Sequence, residues 1–110
     1  MDNDSSRRIY GVLGFPVRHS LSPAMHNAAF KALDMNAEYR LFEVQPRDLD
    51  AFLLSAKQQG ICGLNVTIPY KEKVIPSLNS ISQEARLIGA VNTIKVTGCG
   101  LEGFNTDAEG

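Results

Sequence analysis

The residues from Asn65 to Lys71 (NVTIPYK) combine side chains that can hold an oxygen-rich small molecule with one that can carry a proton. Their β-branched run predicts a strand, and Pro69 ends it because proline has no N–H to donate to a sheet. Asn65 and Thr67 are two residues apart, so they share one face of that strand. An amide, a hydroxyl and an ammonium group at a strand end predict a ligand site. Taken alone, the stretch also fits an ordinary strand exit with a solvated lysine.

Two serines form a second polar position at the start of a predicted helix. Ser22 precedes Pro23, and a hydroxyl followed by proline is typical of a helix N-terminus. The free amides of such a terminus suit a carboxylate or phosphate, and Ser20 and Ser22 add two hydroxyl donors. The alternative is that Ser22 only caps the helix while Ser20 only closes the loop.

A third group of polar residues lies near the end of the chain. Asn92 stands at a predicted strand start, and Asp107 follows the last predicted strand. Ligands of parallel α/β sheets bind beyond the carboxyl ends of the strands, so Lys71, Asp107 and the serine loop would converge there. A lysine beside a carboxylate suits proton transfer to or from a substrate hydroxyl. Asp107 also fits a solvated acid or a helix cap.

Strands and helices alternate along the sequence and would position these residues. Hydrophobic runs predict strands over residues 9–14, 38–44, 63–68, 90–96 and 101–104. Helices are predicted from Ser22 to Leu33, from Pro46 towards Gly60, and from Ser82 to Gly89. The first helix is expected to turn Met25, Ala28, Ala29 and Ala32 or Leu33 towards the core. This order predicts an α/β fold in three layers, a mostly parallel sheet with helices on both faces.

The segment from Gly98 to Gly103 matches the G-x-G-x-x-G pattern of dinucleotide-binding folds. That pattern requires a helix directly after it, whose N-terminus faces the pyrophosphate. Here a predicted strand and the residues 105–107 follow instead. The glycines are therefore interpreted as the turn of a hairpin and not as a cofactor site.

Composition limits the classes of protein that fit. The chain has 110 residues, 44% hydrophobic and 21% charged, which suits one globular domain over residues 9–110 after a flexible arm of residues 1–8. A net charge of −1 gives no reason to expect nucleic acid or a membrane surface as partner, and no apolar run approaches the ~20 residues of a membrane span. Two separated cysteines and two histidines predict no metal site and a reducing, cytoplasmic location.

Four stretches together resemble the signature blocks of shikimate dehydrogenases, in the order and spacing of that family. They are GFPVRHSLSPAMHN at residues 14–27, NVTIPYK at residues 65–71, GAVNT at residues 89–93 and NTDAEG at residues 105–110. Four ordered blocks are much more specific than any single motif. The resemblance extends over nearly the whole chain from Ile9 onward and implies a substrate-binding domain.

The resemblance implies the NADP-dependent, reversible reduction of 3-dehydroshikimate to shikimate in aromatic amino-acid biosynthesis. By the same comparison Ser20 and Ser22 would bind the substrate carboxylate, and Lys71 would be the catalytic acid and base. The remaining implied ligands of the ring hydroxyls are Asn65, Thr67, Asn92 and the catalytic partner Asp107. Family members occur as monomers and as dimers, so a homodimer is one expectation.

Family members continue past the Asn-Thr-Asp block into a Rossmann-type domain that holds NADP. The expectation is therefore that this chain is the substrate-binding domain without that cofactor domain, has no cofactor-binding residues of its own, and does not turn over alone. Two alternatives remain. One is a quinate/shikimate dehydrogenase, which accepts a further ring hydroxyl and sometimes NAD. The other is a non-catalytic module that senses shikimate.

Overall fold

The computed structural model describes residues 8–17 and 22–106, apart from the side chains of residues 22 and 23. The elements follow in the order β1 (Arg8–Gly14), α1 (Ser22–Ala32), β2 (Ala37–Glu43), α2 (Leu49–Ser55), β3 (Ile61–Val66), β4 (Ser80–Ile81), α3 (Gln83–Ile88), β5 (Thr93–Thr97) and β6 (Gly100–Phe104). Short 3-10 helices precede α2 and β4, over Pro46–Asp48 and Ile75–Ser77. The predicted alternation of strands and helices is confirmed.

The six strands form one sheet in the order β2-β1-β3-β5-β6-β4. β1 pairs in parallel with β2 and with β3, and β4 pairs in parallel with β6. β5 is antiparallel to β3 and to β6. The predicted mostly parallel α/β sheet is thus confirmed, with β5 running opposite to the other strands. The two-residue strand β4 had no recognisable signal in the sequence.

The main hydrophobic core lies on one face of the sheet, under α2. Alternate residues point to this face, so it receives Leu13 from β1 and Leu64 from β3. Leu53 and Ala56 at the end of α2 pack against them and are almost completely buried. Burial of these side chains is the main term that stabilises the layer.

α1 covers part of the opposite face, above β2 and β1. The predicted inner face of this helix is wrong: Met25 is 71% exposed and Leu33 is 69% exposed. The side towards the sheet instead carries Asn27 and Phe30, which lie about half a turn around the helix from Met25. The apolar spacing misled the prediction because what α1 contacts on β2 is a polar peptide and an aromatic ring, not an aliphatic layer.

α3 begins and ends as its sequence predicts. The Ser82 hydroxyl accepts a hydrogen bond from the backbone N–H of Ala85 at 3.1 Å, which caps the first turn. Gly89 follows the helix with φ at 82°, a left-handed conformation that glycine adopts without steric cost.

The glycine-rich segment after β5 is the turn of a hairpin. Thr97 pairs with Gly100 across the antiparallel β5 and β6, and Gly103 lies inside β6 against Leu78 and Val91. No helix begins within this segment. The interpretation of the G-x-G-x-x-G pattern as a hairpin is confirmed.

Candidate functional site

The ends of β3 and β6 and the start of β5 meet at one edge of the sheet. Asn65 near the end of β3 pairs with Thr93 at the start of β5, and Thr93 pairs in turn with Phe104 at the end of β6. Because β5 is antiparallel, its first residue lies beside the last residues of its neighbours. The reversal therefore brings Asn92, which precedes β5, to the carboxyl edge where β1 and β3 also end.

Thr67 extends the pairing of β3 by one step beyond the strand. Its backbone N–H donates to the carbonyl of Leu13 at 2.9 Å, and the N–H of Phe15 donates to the carbonyl of Ile68 at 3.1 Å. A Cβ placed on Gly14 would lie 2.5 Å from Cγ2 of Thr67. The end of β1 can therefore approach Thr67 closely only because residue 14 is glycine.

The backbone around Lys71 is fixed from both sides. Tyr70 before it is fully buried, and its hydroxyl donates to the carbonyl of Val44. The carbonyl of Lys71 itself accepts a hydrogen bond from the N–H of Val91 at 2.7 Å. The side chain is half-buried, and none of the described carboxylates forms an ion pair with it. The backbone that carries the Lys71 side chain is therefore held in place, and its ammonium group stays available to a ligand.

Asn92 joins the ends of β3 and β6. Its carbonyl accepts from the N–H of Val66 at 2.8 Å, and its N–H donates to the carbonyl of Phe104 at 3.0 Å. The side-chain oxygen accepts from the N–H of Thr106 at 3.1 Å and from the hydroxyl of Thr93 at 2.9 Å. Asn92 therefore holds the chain just before position 107.

The side chain of Asn65 is exposed at the same edge and has a single hydrogen-bond partner among the described residues. Its side-chain oxygen accepts a hydrogen bond from the hydroxyl of Tyr39 at 2.7 Å. Burial raises the pKa of the Tyr39 hydroxyl above its usual range, so this group stays protonated and can donate at neutral pH.

An open cavity of about 800 Å³ extends from this edge over the uncovered part of the sheet. Asn65, Thr93 and Lys95 form part of its floor, and His26 and Tyr39 line it from the α1 side. Its size is typical of a small-molecule site, but Thr67, Lys71 and Asn92 do not line it, so the cavity meets the predicted site only at Asn65.

The structure brings together four of the seven residues that the sequence predicts for the site, namely Asn65, Thr67, Lys71 and Asn92. Ser20 and Asp107 lie outside the described residues, as does the side chain of Ser22, whose backbone begins α1. Within the described ranges no group of three or more His, Cys, Asp and Glu side chains is arranged to hold a metal. None of the helices in the same residues has the length and apolar character to cross a membrane.

Sequence reasoning missed three residues that support the site. Tyr39 contacts Asn65, Tyr70 anchors the lysine loop, and Glu43 accepts a hydrogen bond from the N–H of Val17 at 3.0 Å. All three contacts join residues that are 26 positions apart in the chain, so no local sequence pattern indicates them. Only Tyr39 had a usable signal, an aromatic residue with a polar tip inside a strand.

A three-layer α/β sheet with amide, hydroxyl and ammonium groups gathered beyond its strand ends has the architecture of a small-molecule-binding domain. The comparison with known families identifies it further. The chain belongs to the shikimate dehydrogenase substrate binding domain family, whose model matches residues 12–94.

Individual relatives agree with this assignment. The shikimate dehydrogenase (NADP(+)) of Thermococcus kodakarensis is 54% identical over 107 residues, which are 97% of this chain and 39% of that protein. A crystal structure of a shikimate dehydrogenase in complex with NADP+ matches with a TM-score of 0.88 and 47% identity, over 97% of this chain and 37% of the other. The Thermus thermophilus shikimate 5-dehydrogenase in complex with NADP(H) and shikimate matches with a TM-score of 0.84 and 40% identity, over 93% of this chain and 39% of the other. The chain thus spans less than two fifths of the length of these relatives.

Proposed function

We propose that this chain is the substrate-binding part of an NADP-dependent shikimate dehydrogenase, over residues 9–110, and that it holds shikimate or 3-dehydroshikimate at the carboxyl edge of its sheet. The observation that carries the proposal is the convergence of Asn65, Thr67, Lys71 and Asn92 at that edge in a member of this family. The Thermus relative, solved with shikimate and NADP(H), supports the choice of ligand and cofactor.

The proposed chemistry of the chain is proton transfer. Oxidation of a ring hydroxyl to a ketone requires a hydride acceptor, which NADP would supply, and it releases the hydroxyl proton, which the amine form of Lys71 takes. In the reverse direction the ammonium form returns the proton to the oxygen as the carbonyl is reduced. Asp107 would orient the lysine and accept a hydrogen bond from a neighbouring hydroxyl, while Asn65, Thr67 and Asn92 hold the other ring hydroxyls. Ser22, where α1 begins, and Ser20, two positions earlier in the sequence, would bind the carboxylate.

NADP is assigned no contact with this chain. The G-x-G-x-x-G segment lies in a hairpin and not between a strand and a helix, so it is not expected to receive a pyrophosphate. We therefore expect the chain alone not to oxidise shikimate with NADP. A rate comparable to that of the full-length relatives would overturn this part of the proposal.

Two further parts of the proposal are cytoplasmic location and self-association. Cys62 and Cys99 are both free thiols, as is usual in a reducing compartment. The exposed Met25 on α1 and Leu33 directly after it offer apolar surface for a homodimer contact. Sedimentation of the wild type and of a Met25→Ser, Leu33→Ser variant would test the second point.

The decisive experiment is a titration of shikimate into the isotopically labelled chain, followed through its backbone amide shifts. We expect localised shifts at Thr67 and Asn92, and affinity about tenfold or more weaker in Lys71→Ala and Asp107→Ala, since each removes a charged hydrogen-bonding partner. Lys73→Ala is the matched control, because Lys73 is an exposed lysine of the same loop. It should bind like the wild type.

A well-dispersed spectrum that does not change with shikimate would overturn the proposal. Parallel titrations with quinate address the alternative specificity: equal or tighter binding of quinate would favour a quinate/shikimate dehydrogenase. Binding that is unaffected by Lys71→Ala would favour a sensing module, because a protein that only senses the ligand needs no proton carrier.

A further inference from the structure

Tyr39 occupies the centre of β2 and is only 5% exposed, although its hydroxyl reaches the exposed side chain of Asn65. The contact joins two strands that are not neighbours, because β1 lies between β2 and β3 in the sheet. The tyrosine ring therefore extends over β1, and its hydroxyl meets the amide oxygen of Asn65 at 2.7 Å. A buried aromatic side chain thus contacts an exposed amide.

Two side chains of α1 hold Tyr39 in place. The amide of Asn27 brackets its peptide: the side-chain nitrogen donates to the carbonyl of Tyr39 at 2.9 Å, and the side-chain oxygen accepts from its N–H at 2.8 Å. The ring of His26 stacks on the ring of Tyr39 with centroids 4.2 Å apart and planes 18° apart. The backbone and the ring of Tyr39 are therefore both fixed from the helix.

The direction of the Tyr39 hydrogen bond determines what Asn65 can offer to a ligand. An asparagine amide has an acceptor end and a donor end, and the two exchange places when the group rotates by half a turn. When the oxygen accepts from Tyr39, the NH2 group is left pointing away from the tyrosine. In the described part of the chain this nitrogen has no hydrogen-bond partner, so it remains available as a donor.

We propose that Tyr39 is a positioning residue for Asn65, which locks the amide so that its NH2 group faces the ligand and selects an acceptor oxygen. The identity of that ligand as shikimate rests on the function proposed above, whereas the orientation of the amide does not. Shikimate presents ring hydroxyl oxygens that can accept such a bond. The helix α1 thereby supports the site through His26 and Asn27, which hold Tyr39.

The test compares Tyr39→Phe with Tyr10→Phe in the labelled chain. Tyr10 lies opposite Tyr39 on the neighbouring β1 and packs on Phe30, so the control loses a hydroxyl from the same layer of aromatic rings. Tyr39→Phe keeps the stack with His26 and the backbone bonds of Asn27. We expect shikimate to bind about three- to tenfold more weakly to Tyr39→Phe, a loss that corresponds to one hydrogen bond. Its affinity for Tyr10→Phe should equal that for the wild type.

The same sample reports the amide orientation without any ligand. Nuclear Overhauser contacts between the Asn65 NH2 protons and the ring protons at position 39 should be weak in the wild type and stronger in Tyr39→Phe, where both orientations become populated. Strong contacts in the wild type would mean that the nitrogen faces the tyrosine, and the proposal would be wrong. This readout decides the positioning role even where shikimate does not bind.

A double-variant cycle separates positioning from a general loss of structure. In an Asn65→Ala background the removal of the Tyr39 hydroxyl should have no further effect on shikimate affinity, since its partner among the described residues is gone. An equal loss in both backgrounds would show that Tyr39 acts through another residue and would overturn the proposal.

Discussion

The side chain of Asn92 is hydrogen-bonded to Thr106 through both ends of its amide. Its oxygen accepts from the backbone N–H of Thr106 at 3.1 Å, and its nitrogen donates to the hydroxyl of Thr106 at 3.1 Å. Thr106 directly precedes Asp107, which we propose as the partner of Lys71. Asn92 therefore has a structural task besides the ring contact proposed for it, which is to fix the exit from β6.

Replacing Asn92 by alanine should loosen that exit. Asn92→Ala removes the partners of the Thr106 N–H and hydroxyl while the backbone bonds to Val66 and Phe104 remain. We expect faster hydrogen exchange at the Thr106 amide and a free energy of unfolding lower by about 1 kcal/mol, because the bonds are partly exposed. Shikimate affinity should fall as well, because the position of Asp107 becomes less defined.

Asn79→Ala is the matched control for this prediction. The side-chain oxygen of Asn79 accepts from the N–H of Leu101 at 2.8 Å, so it ties down the opposite end of β6. Its loss should lower stability by a similar amount but leave Thr106 exchange and shikimate affinity unchanged. Unaltered exchange at Thr106 in Asn92→Ala would contradict the structural task assigned to Asn92.

Hydrophobic alternation and caps were sufficient to predict the class of fold. The runs of β1 and β3 and the serine and glycine at the ends of α3 are local signals, and the structure has these elements close to the predicted bounds. The direction of β5 could not be read, because a buried strand has the same composition in either orientation. The sheet-facing side of α1 was misread because Asn27 contacts a backbone peptide, which leaves no trace in an apolar pattern.

The site was only partly predictable for a related reason. Asn65, Thr67 and Lys71 belong to one contiguous motif, so residue type and spacing were enough to select them. Tyr39 and Glu43 act on residues 26 positions away, and which strands become neighbours is decided by the whole fold. Residues that support other residues are therefore found from the structure rather than from the sequence.

Gly14 should be intolerant of any side chain. An added Cβ would lie 2.5 Å from Cγ2 of Thr67, 2.8 Å from Cγ1 of Val17 and 3.0 Å from the carbonyl of Ile68. We expect Gly14→Ala to lower the free energy of unfolding by about 1–3 kcal/mol, as overpacking typically does, and to weaken shikimate binding by displacing Thr67. Chemical denaturation and the titration described above would measure the two effects.

Two variants make this prediction specific. Gly98→Ala places the same methyl group in the β5–β6 turn, where no atom lies within 4 Å, and should change neither property. Adding Thr67→Ser to Gly14→Ala removes Cγ2 but keeps the hydroxyl, so part of both losses should be recovered. If Gly14→Ala is as stable as the wild type, the close approach of β1 to Thr67 is not essential.

Glu43 should anchor the chain at Val17, just before the segment that carries Ser20 and Ser22. Its carboxylate accepts from the N–H of Val17, the last described residue before that loop. We expect Glu43→Ala to weaken shikimate binding about three- to tenfold, because an anchoring hydrogen bond is lost and the serines are held less firmly. Glu43→Gln keeps an oxygen acceptor at this position and should stay within about twofold of the wild type. Equal losses in the two variants would show that the charge, and not the acceptor, is what matters.

The buried hydroxyl of Tyr70 should make the free energy of unfolding depend on pH in the alkaline range. Complete burial of the hydroxyl, reinforced by the negative charge of Asp48, raises the pKa of Tyr70 above its ordinary value of 10.0. Above about pH 10 the unfolded chain therefore loses a proton that the folded chain keeps. The contribution of Tyr70 to stability is complete below that pH and falls as the pH rises towards the folded-state pKa, by up to about 1.4 kcal/mol per pH unit.

Urea denaturation of the wild type and Tyr70→Phe on both sides of pH 10 tests this linkage. At neutral pH the variant should be less stable by about 1–3 kcal/mol, because the carbonyl of Val44 loses its buried donor. The difference should shrink above about pH 10, since only the wild type then requires a protonated tyrosine at this position. In Asp48→Asn the smaller, electrostatic cause of the raised pKa is removed, so the folded variant should lose the Tyr70 proton at slightly lower pH than the folded wild type in a titration of tyrosinate absorbance. Stability curves of the wild type and Tyr70→Phe that stay parallel through pH 10 would mean that the hydroxyl ionises as readily in the folded chain as in the unfolded one, and that the bond to Val44 does not hold its proton.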